Sequence, residues 1–168
     1  MRGISWFFKS WVPVIFWMGL IFSASTDAMS SGHTSRIIGP IVRWFIPDIS
    51  EVALGQIVFT VRKTAHVTEY AFLAALVWRA LRNPMVKAQR PDGRSTHIEE
   101  GKVALQLWRW SQAMLALGVA ALYAASDEIH QLFVPTREGR FGDVVLDSAG
   151  AALGLFAIWM VGRWRRRW

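Results

Sequence analysis

Residues 62–81 read RKTAHVTEYAFLAALVWRAL, a segment that is polar for about two helical turns and apolar beyond them. On a helix, Lys63, His66 and Tyr70 stand at positions i, i+3 and i+7 and share one stripe. The remainder of that stripe is apolar. The pattern predicts a membrane-spanning helix over 64–81 whose chemistry is confined to the end at which it starts.

Three further apolar runs, 4–22, 110–126 and 144–162, also carry polar or ionisable residues at one end. Their lengths suit a hydrocarbon core about 30 Å thick. With 53% hydrophobic residues and ten Trp, the composition is typical of a membrane protein. We expect one all-α domain over 1–168, built as a four-transmembrane-helix bundle. The first run also fits a cleaved signal peptide with a small-residue site at 23–25, although its tryptophans favour an anchored span.

The basic residues divide unequally between the two sides of the predicted membrane. Thirteen of the 19 Lys and Arg residues lie in the N-terminal segment, the region between the second and third spans, and the C-terminal tail. Because loops rich in Lys and Arg remain in the cytoplasm, both termini, the loop 83–107 and the basic tail 163–168 are predicted to be cytoplasmic. The polar ends of all four spans then face the outside. This sorting explains the net charge of +7 without a nucleic-acid partner.

The segment between the first two spans, 29–61, is too long for a bare turn. It alternates apolar patches with Gly and Pro, so we expect one or two short helices that lie in the outer interface or re-enter the membrane. Asp48 or Ser50 is the expected N-cap of a helix that follows.

The chain contains no cysteine, which excludes disulfides, thiolate catalysis and cysteine-ligated metals. A zinc site formed by His66, Glu69 and His130 lacks the HExxH spacing and is disfavoured. We therefore expect neither a metal nor a cofactor.

Ionisable residues cluster at the end of the third span. One helical face carries Tyr123, Asp127, His130 and Gln131. Glu128 lies about 100° around the helix from Asp127. Neighbouring acids of this kind can supply a general acid, whereas the plain structural alternative is a helix cap with a hydrogen-bonded loop.

The fourth span begins with two acids and continues with two glycines on one stripe. These residues are Asp143, Asp147, Gly150 and Gly154, at i, i+4, i+7 and i+11. The glycines form a GxxxG motif that lets a neighbouring helix approach closely. Asp147 lies a full turn inside the span, where an unpaired charge is costly, and Arg137 or Arg140 is its expected partner. A salt bridge alone would also explain such a pair.

Taken in order, these motifs resemble the VanZ-like family of small multi-spanning membrane proteins. The resemblance is carried by Lys63-x-x-His66-x-x-x-Tyr70, by Asp127-Glu128-x-His130-Gln131-x-Phe133-x-Pro135-x-Arg137, by Asp143-x-x-x-Asp147-x-x-Gly150-x-x-x-Gly154, and by the serines Ser23 and Ser25. It implies a bacterial cytoplasmic (inner) membrane protein. The family takes its name from a member linked to low-level resistance to teicoplanin, a glycopeptide that acts on the cell wall.

The chain departs from the pattern of that family at three places. Asp147 stands where the family usually has Asn, Thr136 where it often has Gly, and Thr26-Asp27 where a Gln often follows the serines. A mechanism that needs a neutral amide at position 147 would require Asp147 to be protonated or paired.

We favour a site at the outer leaflet that acts on, or binds, a lipid-linked or cell-wall substrate. The expected catalytic residues are His66, Asp127, Glu128 and Asp147, with His66 poised as a proton carrier by Glu69 or Asp127. The expected substrate-binding residues are Ser25, Lys63, Tyr70, His130, Gln131, Arg137 and Asp143. Lys63 and the arginines suit an anion.

Two other hypotheses stay open at this point. One is a proton, ion or small-solute transporter, which the apolar inner halves of the spans disfavour. The other is a non-catalytic scaffold in which the polar residues fix helix packing. The lipid bilayer is a partner in all three hypotheses, and the oligomeric state does not follow from the sequence.

Overall fold

The computed structural model describes residues 2–26, 31–82, 108–135 and 139–165. Within these ranges the chain forms α-helices and no β-strand, which confirms the predicted all-α class. The helices are α1 Arg2–Ala24, α2 Ser31–Phe45, α3 Glu51–Leu81, α4 Trp110–Gln131 and α5 Phe141–Trp164.

Two of the described helices are long and apolar enough to cross a membrane. In α1 the window Phe7–Ala24 has a mean hydropathy of 1.5 over 18 residues, and an 18-residue window within the 24 residues of α5 reaches 1.9. The other two predicted spans lie in α3 and α4. Neither α3 nor α4 contains a window that passes the same hydropathy test.

Helix α3 starts at Glu51, well before the predicted start of the second span at position 64. Of the two candidate caps, Ser50 caps the helix, since its hydroxyl accepts a hydrogen bond from the backbone N–H of Ala53 at 3.2 Å. No proline lies between Glu51 and Leu81, so the helix continues directly into the predicted span. Its 31 residues extend over about 46 Å, more than the hydrocarbon core requires. The second short helix expected within 29–61 is therefore the start of α3.

Ser50→Ala is expected to lower the free energy of unfolding by about 1 kcal/mol, because it removes the side-chain acceptor at the helix N-terminus. The measurement is the denaturation midpoint of the purified protein. Ser111→Ala, at an exposed position near the start of α4, is the matched control. An equal loss in both variants would contradict the capping role.

Helices α1 and α3 run antiparallel. The indole N–H of Trp17 donates to the backbone oxygen of Glu69 at 3.0 Å, and Arg79 donates to the backbone oxygen of Lys9 at 3.4 Å. Residue numbers thus rise along α1 as they fall along α3. The end of α1 consequently lies beside the polar stripe of α3.

Helices α3 and α5 run parallel and pack closely through the two glycines of α5. A Cβ atom at Gly150 would lie 2.5 Å from the backbone oxygen of Val67, and one at Gly154 would lie 2.7 Å from that of Ala71. Only a residue without a side chain allows this approach of the two backbones. The glycines therefore fix the register in which the acids of α5 face α3.

The core below the polar end is apolar, and α4 contributes small residues to it. Ala113, Ala116, Ala120 and Ala124 are buried at i, i+3, i+7 and i+11. They pack with the other members of the core, which include Val14, Ile21, Leu73, Val77, Ala151 and Leu155. At the far end, aromatic rings close the bundle, with Trp78 and Trp108 at a centroid separation of 4.9 Å.

Helix α2 packs against the first turns of α3. Arg43 pairs with Glu51, and Gly39 lies against the side chain of Leu54. The two segments form a hairpin that continues past the polar end of the bundle. Its outer surface is apolar and exposed at Ile37, Ile41, Trp44, Phe45, Val52 and Phe59.

Candidate functional site

Buried polar side chains from three helices meet where α1 and α4 end and α5 begins, beside the polar stripe of α3. They are Ser25, Asp127, Glu128, Gln131 and Asp147, each at most 5% exposed. The rest of the helical core is almost entirely apolar. This group, together with Lys63, His66, Tyr70, His130 and Asp143, is called the polar cluster below.

Asp127 links α1 to α4 through hydrogen bonds. Its Oδ2 atom accepts from the Ser25 hydroxyl at 2.7 Å and from the Gln131 amide at 3.0 Å. Gln131 is one helical turn beyond Asp127, so the amide reaches the carboxylate along the same face. Ser25 is thus a donor to an acid, and no histidine takes its proton in this arrangement.

His66 lies beside Asp147, with 3.5 Å between Nδ1 of the ring and Oδ2 of the carboxylate. We expected Glu69 or Asp127 to poise His66, and Arg137 or Arg140 to pair with Asp147. The structure brings His66 and Asp147 together, because the parallel packing of α3 and α5 sets them opposite each other. Arg137 lies outside the described residues, so its pairing with Asp147 stays a prediction. The Asp147 side chain is 0% exposed and that of His66 is 19% exposed.

One turn nearer the end of the bundle, Lys63 Nζ contacts Asp143 Oδ1 at 2.5 Å. Both side chains are partly exposed, at 27% and 22%. This ion pair forms a rim above the buried pair of His66 and Asp147. Because the Lys63 ammonium is already paired, an anion would have to compete with Asp143 for it.

Glu128 is held by the start of α5. Its Oε2 atom accepts a hydrogen bond from the backbone N–H of Arg140 at 2.7 Å. The same chain reversal holds Gly139 tightly, since a Cβ there would lie 2.6 Å from the backbone oxygen of Glu128. Only one oxygen of the Glu128 carboxylate is occupied by this contact.

Two aromatic residues complete the polar cluster. The His130 ring stacks on Phe22 of α1 at a centroid separation of 4.3 Å. Tyr70 is 0% exposed, and its ring centroid lies 6.4 Å from that of Tyr123 on α4. The Tyr70 hydroxyl thus stands at the floor of the cluster, where the stripe of α3 becomes apolar.

Several buried polar atoms of the cluster accept or donate no hydrogen bond within the described part of the chain. They are His66 Nδ1, Tyr70 OH, Asp127 Oδ1, Glu128 Oε1, His130 Nε2 and both carboxylate oxygens of Asp147. A buried polar atom without a partner costs about 1 to 3 kcal/mol. Such atoms concentrated in one place are typical of a site that binds a ligand, an ion or water.

Arg137, an expected substrate-binding residue, lies outside the described residues. All the other expected site residues fall within them. Two contributors were not expected: the backbone N–H of Arg140, which no side-chain pattern reveals, and Phe22, which belongs to an ordinary apolar run. Among the described residues, no three His, Asp or Glu side chains are grouped to hold a metal ion.

The fold and the cluster define an all-α protein with a buried polar site at one end of a helix bundle. The chain belongs to the VanZ/LLP1 family, whose model matches residues 8–162, nearly the whole chain. Together with the two apolar helices, this membership points to a membrane protein. No curated protein and no solved structure matches the chain.

Proposed function

We propose that the chain is a four-span protein of the bacterial cytoplasmic membrane, with both termini in the cytoplasm and the polar cluster at the outer leaflet. The cluster binds a lipid-linked or cell-envelope substrate. His66 and Glu128 are the groups that move protons at the site. The observation that carries this proposal is the concentration of unpartnered buried polar atoms in the cluster.

The helix directions support four spans. Helices α1 and α4 run towards the polar cluster, whereas α5 and the part of α3 beyond it run away from it. The charge bias of the loops favours an outward-facing cluster. The exposed apolar surface of the hairpin formed by α2 and the start of α3 suits the interface between lipid and water.

Acid–base chemistry is supported by the pairing of groups in the cluster. His66 can take or give a proton while Asp147 stabilises its charged form. One oxygen of the Glu128 carboxyl group has no hydrogen-bond partner among the described residues. Although the residue is only 5% exposed, this oxygen can exchange a proton with a substrate that enters the site.

We expect His66→Ala and Glu128→Gln each to abolish the function of the chain while leaving it folded and inserted. The measurement is the teicoplanin susceptibility of cells that express each variant, with membrane abundance determined in parallel. His66→Ala also removes the cation beside the buried Asp147, so some loss of stability is expected and the phenotype is compared at equal membrane abundance. Glu128→Gln retains an acceptor for the Arg140 N–H.

Asp48→Asn is the control, since Asp48 is exposed and stands outside the cluster. Normal resistance in both cluster variants at normal abundance would refute a chemical role. Resistance that falls only in proportion to abundance would favour the scaffold hypothesis. A transporter is less well supported. The buried residues of α3 beyond Tyr70 include Leu73, Ala74 and Val77, whose apolar side chains cannot carry a proton across the bundle.

A further inference from the structure

The unpartnered atoms of the polar cluster are mostly acceptors. Four of them are carboxylate oxygens: one of Asp127, one of Glu128 and both of Asp147. The hydroxyl of Tyr70, a residue that is 0% exposed and lies one helical turn beyond His66 on α3, is a separate unpartnered group. A ligand that satisfies these atoms must supply hydrogen-bond donors.

The charge of the cluster also favours a ligand group that donates hydrogen bonds. The acids Asp127, Glu128 and Asp147 are buried, and the histidine beside Asp147 is the cation that the described contacts bring to them. Lys63 is paired with Asp143 at the rim. Buried negative charge is costly unless it is paired. A positively charged ligand group would lower that cost, whereas a phosphate group in the same place would raise it.

The packing limits the size of that group. Directly below the cluster, Gly150 and Gly154 hold α5 against the backbone of α3. A compact ammonium group with three N–H donors matches three separate acceptors in such a setting. A sugar ring is much larger and would have to separate the helices.

The rim holds further bases beside the ion pair of Lys63 with Asp143. Arg62 and Lys63 stand on α3 just above His66, and Arg140 precedes α5. A group that carries an ammonium and a phosphate a few bonds apart would place the ammonium among the buried acids and the phosphate near Arg62, where it also competes with Asp143 for Lys63.

From this complementarity we infer that the polar cluster binds the headgroup of a primary-amine phospholipid of the ethanolamine type. The inference rests on the proposed outer-leaflet site and specifies its ligand class. The ammonium contacts Asp127, Asp147 and the Tyr70 hydroxyl, and the lipid tails remain in the bilayer beside the helices.

Binding of lipids to the full chain in detergent micelles tests this inference. The probes are an ethanolamine phospholipid, a choline phospholipid with the same acyl chains, a glycerol phospholipid with a net negative charge, and free phosphoethanolamine. The choline headgroup keeps the positive charge but has no N–H donor. We expect the ethanolamine lipid to bind at least about tenfold more tightly than each of the other three.

Variants locate the site. Asp147→Asn has nearly the same shape and should reduce the preference for ethanolamine over choline to about twofold or less. Tyr70→Phe removes a hydroxyl that has no partner among the described residues, so it should fold normally and also weaken the preference. Asp48→Asn, which removes one exposed carboxylate, should retain the full preference.

Equal binding of ethanolamine and choline lipids would overturn the inference, as would tightest binding of the anionic lipid. A preference that survives in both Asp147→Asn and Tyr70→Phe would overturn the assignment to this cluster. Equally tight binding of free phosphoethanolamine would overturn the assignment to a lipid. If any of these results accompanies loss of resistance in His66→Ala and Glu128→Gln, the proposed function stands and only the ligand class fails.

Discussion

Gly150→Leu is expected to lower the free energy of unfolding by about 3 kcal/mol, the upper part of the usual range for overpacking. A Cβ atom at this position would lie 2.5 Å from the backbone oxygen of Val67 and 2.9 Å from its Cα. Because these neighbours are backbone atoms, no rotamer change relieves the clash. Helices α3 and α5 must separate, and His66 must move away from Asp147. The measurement is the denaturation midpoint, which should fall sharply.

Gly118→Leu is the matched control. Gly118 is an exposed helical glycine on α4, and a Cβ atom there meets nothing within 4 Å. The same change in side chain should therefore be neutral or slightly stabilising, because leucine is the better helix former. Gly150→Ala should lie between the two. Similar stability in Gly118→Leu and Gly150→Leu would disprove the close approach of α3 and α5.

The features that the sequence predicted well are those that depend on spacing along one helix. Hydropathy and periodicity gave the helical class, and the end of the apolar stripe at Tyr70 located the polar stretch of α3. The cap at Ser50 was one of two candidates, since short-range capping signals follow local sequence. The short helix expected after Ser50 and the helix predicted over 64–81 are one continuous helix, because a change from polar to apolar composition does not interrupt a helix.

The sequence predicted that two helices make a close contact, but not which helices they are. The GxxxG spacing indicated a close helix neighbour but did not identify α3. Consequently, the contact of Asp147 with His66, which the parallel register of α3 and α5 creates, was not predicted. The hydrogen bond that the Arg140 N–H donates to Glu128 comes from the backbone, so the type of residue at position 140 does not predict it. Such pairings are set by the rotation and register of whole helices.

Asp127→Ala is expected to be the most damaging change to a single acid of the cluster, with a loss of about 3 kcal/mol in the free energy of unfolding. Asp127 Oδ2 accepts from both Ser25 and Gln131, and all three side chains are buried. Its removal leaves two buried donors without an acceptor. Asp147 is buried to the same degree, but its oxygens accept no hydrogen bond from the described residues. Asp147→Asn should therefore lose less than about 1 kcal/mol.

A double variant of Ser25 and Asp127 shows whether the hydrogen bond between them stabilises the fold. Ser25→Ala removes one of the donors that Asp127→Ala leaves unpaired, so the double variant should be less destabilised than the sum of the two single variants. For two side chains joined by a hydrogen bond, the loss of unfolding free energy in the double variant should be about 1 kcal/mol smaller than the sum of the single losses. Strict additivity would mean that the hydrogen bond from Ser25 to Asp127 does not stabilise the junction of α1 and α4. In that case Ser25 would be available for another role at the site, and the functional assays would have to include it.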